Sequence, residues 1–459
     1  MPVSGRQTLA DKIRSLHLVR EERADRPGVL CVDLHLLHEV TSAQAFARLD
    51  ARGLPVRCPE KHFATADHCV PSGPAGGDEA GRRQVAALQE NCRRHGIPLA
   101  LPGDPRHGIV HVAGPESGLV QPGMVVACGD SHTCTNGALA CLALAVGSSD
   151  VAGILASQCL AEDRFQNFAV EFNGRLPDAC TSRDMAMEFI RRVGPGGARG
   201  TVVEFRGRAV RGLTMAARMT LCNLAIEAGA RSALIGCDET TIGWLKERPG
   251  LRDRIDGPLL QHWQSMVSDP GAEFDRTLVI ECRELQPLIT WGISPDQSVP
   301  VGSRLPDPVT AAESGALAWM GWKPGQEMAG RLVDRVFVGS CTNGRLPDLR
   351  AVAAVLKGKR LAPGLHMLVV PGSVAVQRRA EDEGIHRIIE NAGAVWGQPG
   401  CSMCNAMNGD EAPPGSLVVS TTNRNFRGRQ GPGVRTILAG PVLAARAAVT
   451  GRLPAGGSL

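Results

Sequence analysis

Apolar and polar positions near the start of the chain predict a helix, then a strand, then a polar segment. Residues 8–18 open with a threonine and continue with apolar side chains at helical spacing, which is typical of an N-capped amphipathic helix. The apolar run 29–32 predicts a buried strand. The histidine-rich segment 33–41 that follows is polar, and it predicts an active-site loop or the start of a helix.

Stretches rich in glycine and proline divide the rest of the chain. They lie at 71–81, 194–200 and 300–308, and they predict loops or boundaries between lobes. None of them has the length of a flexible linker. The lobes are therefore expected to pack against one another.

Two segments, 125–137 and 336–344, resemble each other, because an apolar run in each ends in the tetrapeptide Cys-Thr-Asn-Gly. After the first of these turns, a stretch rich in alanine and leucine predicts a helix. A strand, a turn and a helix in this order expose backbone N–H groups that suit anions and metal clusters. The repetition predicts two related α/β lobes that face a shared cleft.

Composition supports this picture and excludes some functions. A chain of 459 residues is long enough for about three domains or one multi-lobed unit. Aromatic residues make up only 3% of it and tyrosine is absent, so alanine, valine, leucine and isoleucine must build the core, as fits an α/β protein. Fifty basic against 46 acidic residues give a formal charge of +4 without long basic runs, which argues against a nucleic-acid partner.

The sequence also bears on location and redox state. The N-terminus lacks the apolar segment and cleavage site of a signal peptide, and no stretch approaches the roughly 18 apolar residues of a membrane span. We therefore expect a soluble cytoplasmic protein with no membrane partner. An odd count of fifteen cysteines then favours free thiols or metal ligands over disulfides.

The pair Cys401 and Cys404 forms a CxxC in a Gly/Pro turn, and this spacing alone fits half a zinc site, a redox dithiol or two cluster ligands. No second CxxC completes a zinc ribbon. Cys341, 60 positions earlier, is the best third thiolate, and three thiolates leave one corner of a cubane open to act as a Lewis acid. Cys134, in the other Cys-Thr-Asn-Gly turn, ranks lower because the neighbouring segment 130–132 looks catalytic.

Several motifs together resemble those of the aconitase superfamily, and in particular of isopropylmalate dehydratase large subunits. The most specific are GSCTNGR at 339–345, PGCSMC at 399–404 and TNRNFRGR at 422–429. Further matches follow in order over nearly the whole chain, at 37–46, 63–68, 108–111, 129–133, 203–205 and 219–223.

The resemblance implies a three-lobed α/β/α core around a [4Fe-4S] cluster. Cys341, Cys401 and Cys404 would bind three irons, and the fourth iron would have no protein ligand. The family's C-terminal swivel domain is not expected on this chain, so residues 1–459 would form the catalytic core alone. A separate small subunit would supply the swivel domain, and the active unit would be at least a heterodimer.

The reaction implied is that of a hydro-lyase, which interconverts 2-isopropylmalate and 3-isopropylmalate through 2-isopropylmaleate in leucine biosynthesis. The Asp67–His68 pair would provide the acid, because a neighbouring carboxylate favours the protonated imidazole. Further candidates by resemblance are Asp130, His132, His111 and Glu204 around the reacting hydroxyl, and Asn423, Arg424 and Arg429 at the cluster or the substrate carboxylates. Arg427 is expected to be a solvated basic residue.

Three positions depart from the family pattern: Cys69 where asparagine is usual, Arg199 in the segment 197–200, and Asn136 where histidine is common. They leave open a related hydroxy acid such as homocitrate or 2-methylmalate as substrate. A cluster-sensing RNA-binding regulator is a second hypothesis, against which the near-neutral charge argues. A degenerate scaffold is a third, against which the three cysteines and Asp67–His68 argue.

Overall fold

The computed structural model describes residues 5–73 and 77–456. Residues 74–76, inside the predicted loop 71–81, lie outside the described residues, as do the first four residues of the chain. The strands are β1 Leu18–Arg20, β2 Gly28–Cys31, β3 Leu34–Leu37, β4 His62–Thr65, β5 Leu99–Ala100, β6 Val125–Cys128, β7 Leu142–Ala145, β8 Cys159–Glu162, β9 Gln166–Asn173, β10 Thr201–Arg206, β11 Ser232–Leu234, β12 Arg276–Glu281, β13 Leu288–Thr290, β14 Ser298–Pro300, β15 Arg335–Val338, β16 His366–Val369, β17 Val395–Trp396, β18 Leu417–Ser420 and β19 Arg435–Leu438.

Helices connect these strands. The α-helices are α1 Leu9–His17, α2 Glu39–Arg52, α3 Glu79–His95, α4 Val110–Glu116, α5 Ser148–Ser157, α6 Ser182–Val193, α7 Arg208–Arg211, α8 Met215–Leu224, α9 Glu239–Lys246, α10 Gly257–Ser265, α11 Ala311–Met320, α12 Ser340–Asn343, α13 Leu346–Leu356, α14 Val374–Asp382, α15 Ile385–Ala392 and α16 Pro441–Thr450. Short 3-10 helices span Pro59–Lys61, Ser131–Leu139, Ala225–Ala228, Cys282–Glu284 and Ser402–Cys404.

Three parallel sheets organise the described part of the chain, which confirms the predicted α/β class. The first sheet has the order β5-β4-β3-β6-β7, the second β11-β10-β9-β12, and the third β17-β16-β15-β18-β19. Central strands such as β6 and β18 are buried along their whole length, as is typical of parallel strands covered on both faces. Two small antiparallel sheets, β1-β2-β8 and β13-β14, lie beside them.

Two large apolar cores correspond to this arrangement. One joins the first and second sheets and extends from Leu9 to Leu288, and the other surrounds the third sheet. Aliphatic side chains dominate both, as composition predicted. A group of phenylalanines packs beside the second sheet, where Phe189 and Phe205 meet edge to face at 5.5 Å.

Local predictions have mixed outcomes. The N-capped helix is confirmed, since the Thr8 side chain accepts a hydrogen bond from the Asp11 backbone at the start of α1. Within the segment 33–41, helix α2 begins at Glu39, which confirms the predicted helix start, whereas strand β3 at Leu34–Leu37 was not predicted. The helix predicted after the first Cys-Thr-Asn-Gly turn is wrong, because the apolar run there forms strand β7; periodicity does not separate a short buried strand from a buried helix.

The first Cys-Thr-Asn-Gly turn is packed against the second sheet. A Cβ atom on Gly137 would lie 1.8 Å from the Ala233 carbonyl oxygen of β11, so a side chain cannot be accommodated there. The Ile235 N–H donates to the Gly137 carbonyl at 3.1 Å. This glycine lets the turn and the second sheet approach closely. In the described ranges, no helix has both the length and the apolar character that crossing a membrane would require.

Candidate active site

The carboxyl ends of three neighbouring strands in the first sheet carry a group of acidic and imidazole side chains. Strand β3 leads into His38 and Glu39, β4 into Asp67 and His68, and β6 into the segment 130–132. Carboxyl ends of parallel strands meet at one edge of a sheet, where ligands commonly bind. Residues far apart in the sequence therefore come together here.

The third sheet presents its own set of residues at the same kind of edge. Cys341 follows β15, Cys401 follows β17, and Asn423 and Arg424 follow β18. The two sets touch, since the Cys401 N–H donates to the Asp67 carbonyl at 2.8 Å. The cysteines and the acid–base residues thus share one cleft.

Helix α8 connects the two Cys-Thr-Asn-Gly turns through Asn223. The amide nitrogen of Asn223 lies 2.8 Å from Thr135 Oγ1 in the first turn and 3.1 Å from Cys341 Sγ in the second. Its amide oxygen accepts from Thr342 Oγ1 at 2.9 Å. The two similar turns therefore flank a single buried side chain.

His68 is held between two carboxylates. Its Nδ1 lies 2.5 Å from Asp67 Oδ1, and its Nε2 lies 3.3 Å from Asp130 Oδ2. Burial lowers the pKa of His68, but the charge of Asp67 and the hydrogen bonds to both carboxylates outweigh it, so the pKa is raised well above its usual value. His68 is therefore protonated at neutral pH and can donate a proton.

Asp130 is the centre of this network. Besides His68, its carboxylate contacts His111 Nε2 at 2.9 Å and the backbone N–H of His132 at 2.7 Å. Burial raises the pKa of Asp130, but the hydrogen bonds from His111 and His68 lower it by more than burial raises it. The pKa therefore lies well below the usual range, and Asp130 is ionised. Asn136 contacts the other ring nitrogen of His111 at 3.2 Å, which orients this imidazole.

A second branch of the network connects His132 to Arg424. His132 Nε2 lies 2.8 Å from Glu227 Oε1, and Arg424 Nε donates to the same carboxylate oxygen at 2.8 Å. Arg424 Nη1 donates to Ser131 Oγ at 3.0 Å. Glu227 thus links the imidazole of the first sheet to the arginine of the third.

Glu39 holds the loop that carries Asp67 and His68. Its carboxylate accepts from the backbone N–H groups of Asp67, His68 and Cys69 at 3.2, 2.8 and 2.5 Å. Ligand-type atoms of His38, Glu39, Asp67 and His68 lie within 4.8 Å of one another, a spacing that a metal ion could bridge. Because three backbone donors and the Asp67–His68 pair already occupy these carboxylates, we interpret the group as the support of the acid.

Cys341, Cys401 and Cys404 lie close together and are each 6% exposed. Burial raises the pKa of Cys341 and Cys401, and the neighbouring thiols add to the effect. Bound metal ions reverse this preference, because a coordinated thiol loses its proton. The Asn423 side chain lies 3.6 Å from Cys341 Sγ and 3.9 Å from Cys404 Sγ, so its amide group is in contact with both sulfurs.

The turns of these cysteines have an unusual backbone, and their sulfurs are spaced more widely than around a single ion. Ser340 and Ser402, each next to a cysteine, have φ angles of 78° and 49°, so both turns adopt backbone conformations that are rare for serine. Among the described residues, the three sulfurs do not form a group within 4.8 Å of one another, whereas thiolates about 2.3 Å from one zinc ion would be about 4 Å apart. Sulfurs on different irons of one cluster need no such proximity.

Two predicted site residues are not brought to this network. Glu204 lies within β10, where it accepts from Ser268 Oγ at 2.5 Å and faces Lys12 of α1. Arg429 stacks its guanidinium 5.3 Å from the Phe426 ring in the loop after β18, and no hydrogen bond joins it to the network. Cys134, the alternative ligand, contacts the Asn223 carbonyl at 3.6 Å and lies behind that residue.

Sequence reasoning also missed residues that the structure places here. Glu227 and Glu39 lie outside every chemical motif that stood out, although Glu39 falls within the matched segment 37–46. Asn223 is the last residue of the matched segment 219–223, so this match could have indicated it as a site residue. Of the departures from the family pattern, Cys69 and Asn136 adjoin the site, whereas Arg199 is exposed in the loop 194–200.

Comparisons with known proteins identify the family of the chain. The sequence model of the aconitase family (aconitate hydratase) matches residues 11–451. A 3-isopropylmalate dehydratase large subunit of Roseiflexus castenholzii is 46% identical over 97% of this chain and 98% of its own length. One of Anaeromyxobacter dehalogenans is 47% identical over 97% of this chain and 95% of its own length. The solved holo-form of Thermococcus kodakaraensis aconitase X matches 86% of this chain and 84% of its own length at 13% identity, and its TM-score of 0.46 is too low to support an inference.

Proposed function

This chain belongs to the aconitase family, and we propose that it is the large subunit of 3-isopropylmalate dehydratase, a hydro-lyase of leucine biosynthesis. One observation carries the proposal: three buried cysteines and His68, which contacts the carboxylates of both Asp67 and Asp130, line one cleft. The near full-length similarity to two curated large subunits supports the choice of substrate.

The proposed cofactor is a [4Fe-4S] cluster bound by Cys341, Cys401 and Cys404, with Asn223 and Asn423 beside the sulfurs. When bound, a cluster with one iron free of protein ligands supplies a Lewis acid for the substrate hydroxyl. All three cysteines follow strands of the third sheet, so the cluster would lie against the edge that the first sheet faces.

His68 is the proposed general acid. Both of its ring N–H groups point at carboxylates, Asp67 on one side and Asp130 on the other, which keeps the ring charged and fixed in orientation. The Asp130 contact is the longer one at 3.3 Å, so Nε2 is the nitrogen that can turn its proton toward a departing hydroxide. Asp130 and His111 would hold the water that leaves.

Arg424 is the proposed carboxylate ligand. Glu227 and Ser131 engage its Nε and Nη1, which leaves Nη2 to donate to a substrate carboxylate. Asn423 would stay at the cluster. Glu204 and Arg429 have no part in this proposal, because their contacts lie elsewhere.

A small subunit is the proposed partner, because both relatives are large subunits. By resemblance to the family, that subunit carries the swivel domain with the proton-abstracting base and a second carboxylate ligand. The large subunit alone is then expected to bind the cluster and to show essentially no turnover.

The test is anaerobic reconstitution of the chain with a small subunit. We expect interconversion of 2-isopropylmalate and 3-isopropylmalate, and much weaker turnover of homocitrate, citrate and citraconate. Cys341→Ser should remove activity, and Cys134→Ser, in the matching turn, should keep it. If the brown, cluster-loaded complex preferred homocitrate or 2-methylmalate, that acid would replace 2-isopropylmalate as the proposed substrate. A cluster-loaded complex that turned over none of these acids would overturn the proposal.

A further inference from the structure

A cavity of about 190 Å³ lies between α4, α8 and α13, and no residue of the candidate active site lines it. The first half of the chain contributes α4, the start of α8 and the end of α9. The second half contributes the start of α13 and the side chain of Arg379 on α14. A ligand in this cavity would therefore contact both halves of the molecule.

Four arginines line the cavity: Arg248, Arg345, Arg350 and Arg379. Two of them have partners, since Arg350 pairs with Glu383 at 2.5 Å and Arg248 stacks on the Trp244 ring at 4.1 Å and contacts Glu247 at 3.2 Å. In the described part of the chain, no hydrogen bond or ion pair engages the Arg379 guanidinium. Positive charge on this wall is only partly compensated.

Arg345 is the most deeply buried of these arginines, ahead of Arg248. It is 5% exposed, and its Nη1 donates to the Thr342 carbonyl at 3.3 Å. Its Nε and Nη2 are buried and have no hydrogen-bond partner among the described residues. A buried guanidinium with two unused N–H-bearing nitrogens is costly unless an anion joins it.

Two helix N-termini add to the positive potential. Thr214, Met215 and Ala216 bring the first turn of α8 to the cavity, and Leu346 and Pro347 bring the first turn of α13. First-turn N–H groups have no carbonyl acceptor inside their helix, and the helix dipole favours negative charge there. The contribution of α13 is the smaller one, because Pro347 has no N–H and Asp348 places a carboxylate in its first turn. Two acids, Glu116 and Glu247, also line the cavity, so two carboxylates face its four arginines. Glu116 accepts a hydrogen bond from Ser373 Oγ, and Glu247 contacts Arg248.

We propose that this cavity binds a small phosphate-class oxyanion between Arg248, Arg345 and Arg379 and the N-termini of α8 and α13. Such an anion would tie together the helix that carries Asn223 and the helix that follows Cys341. Binding in this cavity would stabilise the contact between these two helices, and the anion would not enter the candidate active site.

The test measures binding of inorganic phosphate to the full-length, cluster-loaded chain by calorimetry at constant ionic strength in chloride. We expect saturable binding that Arg248→Gln and Arg379→Gln each weaken about tenfold, the loss typical of one charge-assisted hydrogen bond. Arg378→Gln is the matched control, because Arg378 is the exposed neighbour of Arg379 on α14 and does not line the cavity. Ala216→Glu, which places a carboxylate at a helix N-terminus where it is tolerated, should abolish binding.

Thermal unfolding in chloride alone checks that each variant is folded. Phosphate should raise the unfolding temperature of the parent chain and of Arg378→Gln, and not that of Ala216→Glu. Absence of saturable binding, or an equal loss in Arg378→Gln, would overturn the proposal. If malonate bound as tightly as phosphate, and the same variants lost malonate binding, the assignment to phosphate would be overturned.

Discussion

Arg183 offers a sharp test of how the site is held together. This α6 residue is 1% exposed, and its guanidinium donates to Asn343 Oδ1 at 3.0 Å and to the backbone carbonyls of Thr421 and Thr422 at 2.9 and 2.6 Å. Burial lowers its pKa to about 10, so it remains charged at neutral pH. It therefore joins the first half of the chain to both turns that carry Cys341 and Asn423.

Arg183→Met keeps an unbranched apolar stem but removes the guanidinium and all three of its hydrogen bonds. Each acceptor left unpaired in a buried site costs about 1–3 kcal/mol, and partial relaxation brings the sum to roughly 3–5 kcal/mol. An entropy of unfolding near 2.1 cal/mol/K per residue gives about 1 kcal/mol per °C for a chain of this length. If the chain unfolds as one unit, its unfolding temperature should fall by about 3–5 °C.

Differential scanning calorimetry of the anaerobic chain measures this shift, and iron analysis of the same samples follows the site. Arg191→Met on the same helix is the control, since the Arg191 side chain is 46% exposed and its partner Glu188 keeps a second contact, to Arg192 at 2.7 Å. It should shift the unfolding temperature by less than about 1 °C. Equal shifts for the two variants would refute the idea that Arg183 ties the two halves together.

The remaining predictions concern the cluster, the acid and the core. Cys404→Ser should abolish the broad visible absorption of anaerobically reconstituted protein, and full four-iron stoichiometry in that variant would contradict the ligand assignment. His68→Gln should keep that absorption and lower turnover of the complete complex by about 10²–10⁴-fold; unchanged turnover would rule it out as the acid. Burial lowers the pKa of His62, beside His35 in the core, to about 4. Its contribution to stability is present above pH 6.5 and should fall by up to about 3 kcal/mol as the pH drops toward 4. Urea unfolding should show a shallower pH dependence for His62→Gln, and an equal slope would contradict the assignment.

Strong local patterns made much of the architecture predictable. The capped helix α1, the α/β class and the family follow from periodicity, composition and ordered motifs. Strand β7 was mistaken for a helix because its alanines and leucines suit either structure when buried. Tertiary packing against β6 decided the outcome, and no local signal carries that information.

The site was predictable where a motif surrounds the residue, and not where only the fold brings it in. His68 and Asp130 stand in recognisable turns, and the structure places them 3.3 Å apart. Glu227 stands in an ordinary alanine-rich stretch, and its position between His132 and Arg424 depends on how α8 ends and how the third sheet docks. Glu204 is the converse case, because a motif match predicted it for the site, whereas in the structure it lies within β10 and accepts a hydrogen bond from Ser268 Oγ.

The thiols and the imidazoles of the cleft come from different sheets, and this division has a consequence for genetics. Cys341, Cys401 and Cys404 all follow strands of the third sheet, whereas His68 and the segment 130–132 follow strands of the first. A screen for variants that no longer support growth without leucine should therefore yield two visibly different classes. Substitutions of the three cysteines should give colourless protein, and substitutions of His68 or of the segment 130–132 should give brown protein without turnover.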